Sequence, residues 1–166
     1  MTTSRPISEL RRQPGVWLLE GLTILGLLFL IVVPVACYSA LPETIPTHFD
    51  LNGEPDGWGS REMIFILPGV GLVLYVLMTF IGRSPHRHNY LWEITESNAP
   101  MQYALAVRLV SLIKCEVVWL FAILAWLMIR TAQGERDGIG LAFLPLMIVL
   151  LLGTMTWYFI RAQQHR

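Results

Sequence analysis

Long uncharged apolar runs alternate with short polar segments along this chain, and the runs have the length of a bilayer rather than of a buried core helix. The hydrocarbon layer of roughly 30 Å needs about 20 helical residues at 1.5 Å each. Gly21–Pro42, Met63–Gly82 and Gly138–Ile160 meet that length and predict three spanning helices. A further run, Val117–Ile129, is shorter. It reaches full thickness only by drawing in Arg108, Lys114 and Glu116, which places the third span at Pro100–Arg130. Asn98 is positioned to cap that helix, with Pro100 in the first turn where a missing N–H costs nothing. An interfacial helix from Met101 to Lys114 followed by a short span is the alternative for this region.

The pattern therefore predicts an all-α membrane protein of four transmembrane helices. Its organisation reads as a segment over 1–15, a unit over 16–82 whose two helices flank a loop at 39–62, a connecting loop at 83–99, and a second half over 100–166 with a short loop at 131–138. Composition agrees: of 166 residues, 54% are hydrophobic and 14% charged, against about 25% charged in soluble domains. Lys plus Arg and Asp plus Glu each number 12, so no basic field for nucleic acid exists. Cys37 and Cys115 are too few for a disulfide scaffold or a thiolate metal site, and they fall at different depths, out of bridging range.

Charge orients the bundle. Arg5, Arg11, Arg12, Arg83, Arg87, Arg161 and Arg166 flank the spans on one side, and Arg61, Arg130 and Arg136 on the other. Loops rich in Lys and Arg stay in the cytoplasm, so both termini are expected there. The 39–62 loop is then extracytoplasmic. The first apolar run is too long for the core of a usual signal peptide and is expected to remain as a span.

That outer loop concentrates the turn chemistry of the chain. Asn52-Gly53 favours positive backbone angles, Pro55-Asp56-Gly57 reads as a second tight turn, and Ile45–Phe49 alternates enough to form one strand of a small hairpin. A compact cap over the helix ends is expected. The loop also carries Leu41, Pro42, Ile45, Pro46, His48 and Phe49, followed by Gly53, Asp56, Gly57, Trp58, Gly59, Ser60 and Arg61. In this order and spacing they resemble the signature of domain of unknown function 1648, a membrane domain shared with SdpI-type immunity proteins. Family members usually have Lys where this chain has Arg61. The resemblance covers the first two spans and the loop between them. It implies a bacterial inner-membrane protein of poorly defined function, and through the SdpI-type members, protection against a toxic peptide.

Candidate chemistry is sparse. His48, Asp50, Asn52, Glu54 and Asp56 could offer ligands to a cation, but an EF-hand register puts Pro55 at the obligatory glycine and Arg61 at the bidentate Glu. His48, Asp50 and Asp56 remain weak metal candidates beside the simpler reading as turn-forming residues. Histidine titrates near neutrality, so His48 is also a candidate pH-sensitive group. Inside the membrane, Glu20, Arg108, Lys114 and Glu116 fall at similar depth in the inner leaflet and are expected to form one polar cluster, because unpaired charge there is costly. His86-Arg87-His88 lacks the partners of a zinc site. Pro34, Pro68 and Pro145 are expected to splay the bundle beneath the outer loop and leave a small pocket.

No nucleophile elbow, phosphate loop or HExxH motif occurs, and no cofactor is expected. The expected partners are the lipid bilayer and a peptide or membrane protein. The leading expectation is a non-enzymatic recognition or immunity-type protein acting through its outer loop. An accessory subunit of a larger membrane complex and a small transporter or ion conductor using the inner-leaflet charges are the competing classes.

Overall fold

A computed structural model of the chain describes residues 14–166. The cationic residues Arg5, Arg11 and Arg12, used above for orientation, lie outside the described residues. Four long helices dominate: α1 (Pro14–Cys37), α2 (Ile66–Gly82), α3 (Ala99–Ala132) and α4 (Phe143–Gln164). All four, with their flanking turns, are long and apolar enough to cross a membrane. The protein is a multi-pass all-α membrane protein. Two short strands, β1 (Thr44–Phe49) and β2 (Pro55–Ser60), pair antiparallel between α1 and α2.

Several boundaries differ from expectation. The first helix already includes Pro14–Glu20, ahead of the expected Gly21, because Glu20 finds partners inside the bundle and need not be excluded from it. The interfacial alternative for the third span is overturned by one continuous helix of 34 residues. At 1.5 Å per residue it is about 51 Å long, longer than the bilayer with its headgroups, so its ends project from the hydrocarbon. Asn98 occupies the N-cap position without capping: its Oδ1 accepts from the Thr95 backbone N–H at 2.9 Å and its Nδ2 donates to the Glu93 carbonyl at 3.0 Å. The side chain thus closes the preceding turn. Pro55-Asp56-Gly57 lies within β2 rather than in a turn, since the chain has already reversed over Asp50–Glu54.

Helix α3 is the spine. It packs along both α1 and α2, while α4 makes its extensive contacts with α3 and leaves the rest of its surface uncovered. Lipid is as apolar as leucine, so helix association inside it depends on close packing and hydrogen bonds. Ala122 and Ala125 of α3 let Leu30 of α1 pack closely, and the Trp119 indole N–H donates to the Leu22 carbonyl across the same interface. Gly71 provides another close approach, where a Cβ would meet Leu30 at 2.6 Å. Gly69 and Gly153 face open space.

The second core lies at the end of the bundle that carries the hairpin. Leu41, Ile45 and Ile64 pack against Met128 and Ile129 of α3, all buried. Burying each such side chain stabilises by about 1.5–3 kcal/mol, so the hairpin is rooted on α3. At the opposite end, the Gln102 Nε2 donates to the carbonyls of Ala162 and His165, tying the start of α3 to the end of α4.

Candidate functional site

The hairpin is built by its own sequence. Asp50 opens the reversal: its Oδ1 accepts from the backbone N–H groups of Asn52 at 2.8 Å and Glu54 at 2.9 Å, and its Oδ2 from the Asn52 side chain at 3.1 Å. The Glu54 N–H, supported by Asn52 and Gly53, holds the Asp50 carboxyl below the usual carboxylate range. Gly53 takes φ of 82°. The pairing slips between Pro46 and His48 and again before Phe49, an irregularity that re-aims side chains locally. His48 and Asp56 meet through Nδ1 and Oδ1, both largely exposed. Gly57 faces His48, where a Cβ would come within 2.8 Å of the His48 Cβ.

The signature residues divide by role. Leu41, Ile45 and Pro46 are buried against the bundle, and Phe49 is half-buried. Arg61 lies over the Tyr38 ring at 5.0 Å, and the Tyr38 hydroxyl donates to Glu62 at 3.1 Å, which locks the second strand to the end of α1. Trp58 is 60% exposed. Pro42 and Ser60 are exposed, while Gly59 is half-buried. The three weak metal candidates separate: His48 engages Asp56, while Asp50 turns into its own loop, and among the described residues no three potential ligands gather.

Beneath the hairpin is a cavity of about 550 Å³. Thr47, His48, Phe49 and Asp50 roof it, Leu120, Leu124 and Met128 of α3 form its floor, and Ile66 and Leu67 of α2 face Phe143, Leu144 and Met147 of α4 across it. Because α2 and α4 each pack on α3 far more than on each other, the cavity opens sideways between them. The end that holds it is acidic. Glu43, Asp50, Glu54, Asp56, Glu62, Glu135 and Asp137 outnumber Arg61, Arg130 and Arg136, of which Arg130 is already paired with Glu135.

Residues 25–72 match the family model described as Domain of unknown function (DUF1648). This part of the chain is similar to DUF1648 domains. An uncharacterized protein of Archaeoglobus fulgidus is 51% identical over 62 residues, which are 37% of this chain and 34% of that relative. The match thus spans about a third of the relative's length. No solved structure matches. The DUF1648 segment contributes the hairpin, the end of α1 and the start of α2; the α3 floor and α4 wall of the cavity come from outside it.

The intramembrane charges also lie outside the DUF1648 segment, and they do not form one cluster. Lys114, only 4% exposed, donates to Glu20 Oε2 at 2.5 Å and to Thr79 Oγ1 at 3.1 Å. Its Nζ stands 4.9 Å from the Tyr75 ring centre, and the Tyr75 hydroxyl donates to Glu20 Oε1 at 2.7 Å. Glu116 and Arg108 are elsewhere. Glu116 accepts a hydrogen bond from Thr154 of α4, and Arg108 covers the Trp157 ring at 5.3 Å. The reason is helical geometry: residues two apart are rotated by about 200°, so Lys114 and Glu116 face opposite sides of α3. Tyr75, Thr79, Thr154 and Trp157 were not legible as partners, since single polar or aromatic residues in apolar runs read as packing. Cys37 and Cys115 are free thiols.

Proposed function

We propose that this protein acts by recognition rather than turnover, holding a membrane-active ligand at the hairpin end of its bundle in the manner of an immunity-type protein. The cavity of about 550 Å³ carries the reading: it has the size of a small-ligand site, roughly 300–1,000 Å³, and the mostly apolar lining with a few polar groups that such sites use. Its roof is the hairpin, the segment with the densest family signature. Arg83, Arg87, Arg161 and Arg166 sit at the opposite end, which supports an extracytoplasmic hairpin in an inner membrane with both termini inside.

The test is protection of a host. A strain lacking the gene should become sensitive to a membrane-active peptide, with resistance restored by the wild type and not by Trp58→Ala or Asp56→Ala at equal membrane abundance. Equal resistance with and without the gene would contradict the reading. A second reading, an accessory subunit, is favoured by α4, whose apolar window has nothing buried inside the chain. Stoichiometric co-purification of another membrane protein in mild detergent, lost when α4 surface leucines are replaced, would support it.

A further inference from the structure

The charge around the cavity and the direction in which it opens specify a ligand class more narrowly than recognition alone. The walls are aliphatic and aromatic, and Met128 and Met147 add side chains that adapt to irregular apolar shapes. The lateral gap between α2 and α4 faces the level where acyl chains lie, so an occupant enters from the bilayer with its apolar part first. At the roof, the apolar lining ends at His48 and Asp50. The Asp50 carboxylate keeps its negative charge while its oxygens hold the turn, and the excess of carboxylates at this end extends the negative field beyond the mouth. Such a field concentrates cations and disfavours anions.

We propose that the cavity takes a cationic single-chain amphiphile, its tail between α2, α3 and α4 and its positively charged head beneath the hairpin carboxylates. The proposal rests on the recognition reading above and adds the charge and shape of the ligand. At about 550 Å³ the cavity has room for one such chain, and a two-chain lipid would leave its second chain outside it.

The experiment uses the full chain in nanodiscs of zwitterionic phospholipid and two dodecyl probes, each with a photoreactive diazirine at the tail end. One carries a trimethylammonium head and the other a sulfate. The cationic probe should label cavity residues such as Leu124, Met128 or Met147 several-fold more than the anionic one, with the difference narrowing as salt screens the field. Leu124→Trp, or Met147→Trp should the first variant fail to fold, should abolish that labelling by filling the space. The triple variant Glu43→Gln, Glu54→Gln, Asp137→Asn, which leaves Asp50 and Asp56 in place, should retain labelling and narrow the preference for the cationic head. Equal cavity labelling by both probes would overturn the cationic class and leave recognition standing. Labelling spread over the helix surfaces and indifferent to both tryptophan variants would overturn both.

Discussion

A Cβ placed on Gly138 would stand 2.0 Å from the carbonyl oxygen of Gly53. The two glycines bring the tip of the hairpin onto the loop between α3 and α4, where the Ile139 N–H donates to the same Gly53 carbonyl at 2.9 Å. This backbone clasp joins the DUF1648 segment to the second half of the chain and closes the cavity roof. Gly138→Ala forces the loops apart and should cost about 1–3 kcal/mol, the usual range for overpacking, with faster hydrogen exchange at the Ile139 amide. Gly153→Ala, which meets open space, should leave that amide unchanged.

Lys114 and Glu20 form a buried ion pair whose side chains are 5% and 25% exposed. Removing one partner strands the other charge, at a cost of about 3–5 kcal/mol. Lys114→Met and Glu20→Gln should therefore each lower thermal stability in detergent sharply, and the double variant should cost far less than their sum. Glu116→Gln should add independently to either, within about 0.5 kcal/mol, because Glu116 belongs to the α3–α4 interface.

The Asp50 carboxyl sets the acid limit of the hairpin. Its folded pKa lies below its unfolded value, so its contribution is complete above the ordinary carboxylate range and is lost as pH falls through the lowered folded value. Proteolysis within 50–54 should stay slow at neutral pH and accelerate only under strong acid. Asp50→Ala should show the fast rate at every pH. An unchanged rate in Asp50→Ala would remove the turn from the account.

The spans were legible because uninterrupted Leu, Ile, Val and Phe over a bilayer's length have few other solutions, and the reversal at Asn52-Gly53 because its residues tolerate the required angles. That Lys114 and Glu116 do not pair was within reach of the sequence too: a rotation of about 100° per residue already separates them. Depth put Glu20 among the candidates to meet Lys114, but which of the grouped charges pair depends on the relative rotation of α1 and α3. The cavity was only half legible. A pocket beneath the hairpin was expected from Pro34, Pro68 and Pro145, none of which lines the cavity, and the identity of its walls depends on how α4 packs on α3, which periodicity within α4 does not encode.

Four crossings put the hairpin and the α3–α4 loop at one end of the bundle and the α2–α3 connection and the end of α4 at the other. Single cysteines at Trp58, Asp137, Ser84 and Gln164, introduced with Cys37 and Cys115 replaced by serine, test this arrangement directly with a membrane-impermeant thiol reagent on intact cells. Positions 58 and 137 should label from outside, and positions 84 and 164 only after the membrane is opened. Labelling of 58 and 84 from the same side would contradict the account.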